Sequence, residues 1–136
     1  MGRVINTDSA GKRRTQLSKA IVLAIRELMK QTEPNPLSRD LAAFIALACL
    51  EIGGTVNTSV QAWEKRGYWV KADRFRLDWE WAEAKGQAMK IAVGNEDWSN
   101  VAMVAVQIAQ KLSKVTVSLR NRIGTPWVGA WKSLKA

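Results

Sequence analysis

Apolar positions along this 136-residue chain recur mainly at helical spacing. Leu17, Ala20, Ile21, Ala24, Ile25 and Leu28 form one stripe and predict a helix from about Arg14 to Gln31. Glu33-Pro34-Asn35-Pro36 breaks it. Asn35 is suited to cap a second helix, with Pro36 at its first position, where no backbone donor is lost. That helix should run over about residues 36–66. Its first half, Leu41–Leu50, is apolar nearly all round, which marks it as central to the core. Gly53-Gly54 weakens it by about 1 kcal/mol per glycine relative to alanine, and can bend the helix or admit a neighbouring backbone.

Gly67 closes the second helix, and a third should run from Val70 to about Val93. Ala72, Phe75, Trp79, Ala82, Gly86, Met89 and Val93 follow alternating steps of three and four, a coiled-coil-like seam. A second apolar set, Leu77, Trp81, Ala84, Ala88 and Ile91, lies on the opposite side. Such a helix either sits between other helices or turns one face to another subunit. Gly94–Asp97 reads as a turn into a fourth helix, about Asp97–Lys114, with Val101, Val104, Ala105, Ile108, Ala109 and Leu112 as its buried stripe. Val115–Leu119 alternates like a strand without a partner, so it should run extended along the helices. Thr125-Pro126 starts a short terminal helix. The expected fold class is all-α: an antiparallel four-helix bundle over 14–115, a flexible basic N-terminal arm at 1–13, and a basic, Trp-containing C-terminal tail at 116–136.

Charge sharpens this outline. The net +9 is concentrated at the ends, with +5 over residues 1–30, −2 over 31–97 and +6 over 98–136, a stretch without a single acid. In an up-down bundle the first and fourth helices are neighbours, so Lys19, Arg26 and Lys30 should join Lys111 and Lys114 on one side. Lys12, Arg13 and Arg14 from the arm, with Arg3, and Arg120 and Arg122 from the tail extend that surface. A surface of this kind suits phosphates. At the second helix turn, Tyr68 and Trp69 interleave with Lys65, Arg66, Lys71 and Arg74, the mixture of rings and cations found in single-strand grooves. The seven tryptophans admit core and interface roles alike. Leu77, Trp81 and Ile91 on the third helix, and Trp127 and Trp131 on the tail, are the candidate subunit or docking contacts.

Other chemistries are poorly supplied. Histidine is absent and Cys49 is the single cysteine, so common zinc sites, an internal disulfide and a His-activated nucleophile have no residues to build them. No phosphate-loop, dinucleotide or nucleophile-elbow motif occurs. Glu80 and Glu83 make an ExxE pair, as in all-helical nucleotide pyrophosphohydrolases that hold magnesium, but Glu96-Asp97 does not complete the ExxD half. The start lacks the apolar stretch of a signal peptide. The longest uninterrupted apolar run is ten residues, short of a membrane span, so a cytoplasmic protein without an integral membrane segment is expected.

The leading expectation is a helical nucleic-acid-binding or ribonucleoprotein accessory protein. It would be homo-oligomeric or part of a larger complex, contact mainly phosphates with little sequence specificity, and need no metal or cofactor. The alternatives are an oligomeric protein scaffold or adaptor, and a carboxylate- and metal-dependent helical hydrolase.

Overall fold

Asn35 determines where the longest helix begins. Its side-chain oxygen accepts from the Ser38 backbone N–H at 2.8 Å, and the Ser38 hydroxyl accepts from the Asn35 N–H at 3.4 Å. This reciprocal cap, with Pro36 in the first turn, is the start the sequence predicts. The computed structural model describes residues 7–136 and builds five helices: α1 (Thr7–Met29), α2 (Pro36–Lys65), α3 (Trp69–Gly94), α4 (Trp98–Lys111) and α5 (Ala130–Lys135). No strand occurs among the described residues. Residues 115–118 carry no regular structure, and Leu119 lies in a turn, fully exposed.

α2 is the axis of the molecule. α1 and α3 lie antiparallel along it, α5 packs on it, and α4 packs mainly on α3. Leu41, Ala42, Ala43, Ile45, Ala46, Cys49 and Ile52 are all fully buried, as an all-round apolar helix requires. α2 is also long and apolar enough to cross a membrane, but 56% of the qualifying stretch is buried inside the molecule, the pattern of a core helix. The count of uninterrupted apolar runs passes over it, because Asp40 and Glu51 bound the run Leu41–Leu50 while the stretch beyond Glu51 stays weakly polar.

The seam on α3 meets α2 as its spacing predicts. Ala72, Ala82, Gly86, Met89 and Val93 are buried, and Phe75 and Trp79 are packed against the core at its edge. The closest approach is at Gly86. A β-carbon there would stand 3.0 Å from Leu50 Cγ and 3.1 Å from Cys49 Cβ. Gly53, flagged from the sequence as a site of close approach, would meet Glu83 Cβ at an ordinary 3.5 Å, and Gly54 faces open space.

Two expectations need correction. Residues 7–13 of the arm are helical, because Ala10 is buried and Arg13 and Arg14 reach α2; residues 1–6, with Arg3, lie outside the described residues. The side-by-side first and fourth helices are reduced to a short contact between α1 and α4. Leu28 and Met29 at the end of α1 share a pocket with Trp98 and Val101 at the start of α4. Lys111 lies ten residues beyond Val101 on α4, about 15 Å from that contact at about 1.5 Å per residue.

The tail closes the fold. Residues 121–127 lie against α1, then α5 docks on α2. The Asp40 carboxylate accepts from the backbone N–H groups of Gly129 (3.2 Å) and Trp131 (2.9 Å), capping α5 from 89 and 91 residues away. Trp127 is buried edge-on against Phe44 at 6.4 Å, and Arg39 lies over Trp131 while it pairs with Glu96 at 2.7 Å.

These contacts set opposite expectations for two glycines. Gly86→Ala should lose about 1–2 kcal/mol, overpacking outweighing the gain in helix propensity. Gly54→Ala should gain up to about 1 kcal/mol. Urea unfolding midpoints measure both; a Gly86→Ala protein as stable as the wild type would show that the α2–α3 spacing is loose.

Candidate nucleic-acid interface

The turn between α2 and α3 spans three residues. Gly67 takes φ 79°, a left-handed conformation in which a side chain is strained, and the Tyr68 N–H donates to the Trp63 carbonyl at 2.9 Å. So tight a turn sets the last turn of α2 against the first turns of α3. Between them opens a surface groove of about 700 Å³. Trp63, Phe75, Tyr68 and Trp69 supply its rings, Lys71 and Arg74 its cations, and Asp78 its one carboxylate. Tyr68 is 54% exposed and Trp69 59%. Large rings held in water beside cations are what a stacking ligand needs. The sequence placed Tyr68, Trp69, Lys71 and Arg74 together, and the structure gathers them; Lys65 and Arg66 are exposed at the adjoining end of α2. Trp63 and Phe75 were not foreseen as groove residues. The signal was available, since both fall within one helical turn or two of the aromatic pair.

The inner wall of the groove continues into the molecule as a chain of rings. Trp63 meets Phe75 edge-on at 4.9 Å, Phe75 lies 6.2 Å from Trp79, and Trp79 stacks on Trp81 at 5.8 Å. Arg14 ties α1 to this chain, its guanidinium 4.6 Å from the Phe75 centroid and 5.7 Å from that of Trp79. It also donates to Thr55 Oγ1 at 3.2 Å and Ser59 Oγ at 3.4 Å, with no carboxylate partner among the described residues. Partial burial lowers its pKa, yet an arginine remains a cation. The first turns of α1 are thereby held beside the groove.

The cations divide into two groups. Arg13 is bound to Glu51, whose hydrogen bonds raise the Arg13 pKa; Lys30 pairs with Glu27 at 3.0 Å. Arg76 bridges Asp73 (2.6 Å) and Glu64 (3.1 Å), and these two hydrogen bonds raise its pKa in that order. Lys71 lies 4.6 Å over the Trp63 ring. The other candidates, Lys12, Lys19, Arg26, Lys65, Arg66, Arg74, Lys111, Lys114, Arg120 and Arg122, are exposed and have no ion-pair partner among the described residues. The tail also meets α1 on its basic side. Arg122 shares a pocket with Arg13, and Arg26 and Lys30 share one with Asn121 and Thr125.

The candidate interface residues separate as well. Trp81 is 9% exposed and Trp127 7%, both covered by their own chain, and Trp131 packs against the core beneath Arg39 and Lys135. They are therefore removed from the set of outward contacts, because α3 turns Trp81 toward Trp79 rather than toward solvent. Leu77 and Ile91 remain outward, 65% and 63% exposed. Glu80 and Glu83 are exposed on α3, and the described residues hold no group of three His, Cys, Asp or Glu placed to bind a metal ion. No protein family, curated protein or solved structure matches the chain.

Cys49 lies fully buried on α2, and burial pushes its thiol up from an ordinary 9.0 to about 12. The thiol's contribution to stability is full below about pH 9, where unfolded cysteine keeps its proton, and is lost as pH rises through about 12. Labelling with a thiol reagent at neutral pH should therefore proceed only as fast as the molecule opens, and reach completion in denaturant. Immediate stoichiometric labelling of the native protein would contradict the burial.

Proposed function

We propose that this chain is a helical nucleic-acid-binding protein, of the kind that serves as an accessory in ribonucleoprotein or similar complexes. The carrying observation is the groove at the α2–α3 turn, where exposed Tyr68 and Trp69 stand beside Lys71 and Arg74. Rings can stack on bases irrespective of sequence, while the cations meet phosphates. Arg14 holds α1 against the same aromatic cluster, and the partner-free cations of α1 and the tail offer a continuation for the phosphate backbone. Affinity should come mainly from phosphate contacts, with little sequence specificity.

Fluorescence anisotropy of labelled single- and double-stranded oligonucleotides at about 50 and about 200 mM salt tests this reading. Each phosphate neutralised on a single strand should contribute about −0.7 to the slope of log K against log salt. Trp69→Ala should weaken single-strand binding by about 1–3 kcal/mol with little change in that slope, since a ring stacks and does not neutralise charge. Absence of binding at the lower salt would end the proposal.

A second reading, self-association through α3, is favoured by Leu77 and Ile91, which expose apolar surface on the helix side away from the seam. It is compatible with the first. Light scattering on a sizing column should give more than one chain per particle, and Leu77→Lys with Ile91→Lys should reduce it to one. A monomeric wild type at high concentration would dismiss this assembly.

A further inference from the structure

Asp78 is out of place in a groove built only to hold phosphates. It lines the same cleft as Tyr68, Trp69, Lys71 and Arg74, one helical turn beyond Arg74, and is solvent-exposed. No hydrogen bond or ion pair engages it among the described residues, although Arg74 stands four positions before it on the same helix. A carboxylate here opposes phosphate binding. In a nucleic-acid site it can accept hydrogen bonds from a sugar hydroxyl or from a base, and only the second distinguishes one base from another.

An ionised carboxylate offers two adjacent acceptors and no donor. The edge that matches it must present two adjacent donors. Guanine does so on its pairing edge, through N1–H and the N2 amino group. Adenine and cytosine each present an amino donor beside a ring-nitrogen acceptor, so one carboxylate oxygen would face a lone pair. Thymine and uracil present a single N–H flanked by two carbonyl oxygens, both repulsive to a carboxylate. The guanine edge is reachable only when the base is unpaired, because in a duplex those donors are bonded to cytosine. Volume agrees with this choice: about 700 Å³ is ample for one purine with its sugar-phosphate.

We propose that the α2–α3 groove takes one unpaired guanine of a single-stranded nucleic acid, with Tyr68 or Trp69 stacking on the base, Asp78 accepting from N1–H and N2–H, and Lys71 and Arg74 holding the flanking phosphates. This rests on the nucleic-acid reading above and adds to it a preference at a single nucleotide. Most of the contact surface would still be indifferent to sequence.

The test uses the full chain and labelled thymidine oligomers of about nine nucleotides. The central position is varied among thymidine, adenosine, guanosine and inosine, the last being guanosine without its N2 amino group. The guanosine oligomer should bind about tenfold tighter than the adenosine and thymidine ones, with inosine between them. The duplex form of the guanosine oligomer should lose the preference. Asp78→Asn replaces one acceptor by a donor and should abolish the guanosine preference; with a negative charge gone from beside Lys71 and Arg74, the plain thymidine oligomer should bind more tightly. Circular dichroism of this surface variant should match the wild type. Equal binding of all four single strands, or a preference that survives Asp78→Asn, would overturn the guanine assignment and leave the broader reading standing. Failure of every oligomer to bind would remove both.

Discussion

The rest of the structure depends on the requirement that α2 be covered on nearly every side. Its first half presents apolar side chains all round, and exposing them to water would cost about 25 cal/mol for each Å². α1 and α3 cover two sides and α5 a third. The tightest of these contacts is with α3, where Gly86 lets the backbone approach Cys49 and Leu50. With that register set, the remaining α3 positions follow at helical spacing. Phe75 meets Trp63, Trp79 reaches Arg14, and the start of α3 lies beside the end of α2. The groove is thus a consequence of core packing and a three-residue turn.

Several of the arginines are used inside the fold. Arg13, Arg14, Arg39 and Arg76 each join one element to another: Arg13 to Glu51, Arg14 to Phe75 and Trp79, Arg39 to Glu96 and Trp131, Arg76 to Glu64. A planar guanidinium suits this work, because it can lie on a ring and donate several hydrogen bonds together. Exposed ion pairs of this type add little stability individually. Their effect is to tie helices together at the rim of a register that the apolar contacts set. Lysines, apart from Lys30, Lys71, Lys85 and Lys135, are left in solvent, and they make up much of the positive charge open to a partner.

Asp40 performs the corresponding service for the tail. Its two oxygens satisfy backbone donors that the short α5 cannot satisfy internally, and Trp127 and Trp131 bury their rings around this anchor. The tail therefore brings its cations back along α1 instead of extending away from the body. Arg122 stands near Arg13 by this route, though residues 120–136 and the start of α1 are far apart in the chain.

The amino-acid sequence by itself determined what depends on neighbours within a few turns. The helical class, the Asn35-Pro36 start of α2, the seam on α3 and the aromatic-basic turn at Tyr68-Trp69 all follow from local spacing and capping chemistry, which act over three or four residues. Tertiary structure decided whatever rests on partners tens of residues away. Polar composition and Gly11 made residues 7–13 read as a loose arm, but Glu51, Thr55 and Ser59 hold Arg13 and Arg14 in a helix. Trp81 could face inward or outward on periodicity alone, and its stacking on Trp79 resolved it. Neither the short α1–α4 contact nor the burial of Trp127 has a local signature, for a stripe of apolar residues states that a helix must be covered and does not state by what.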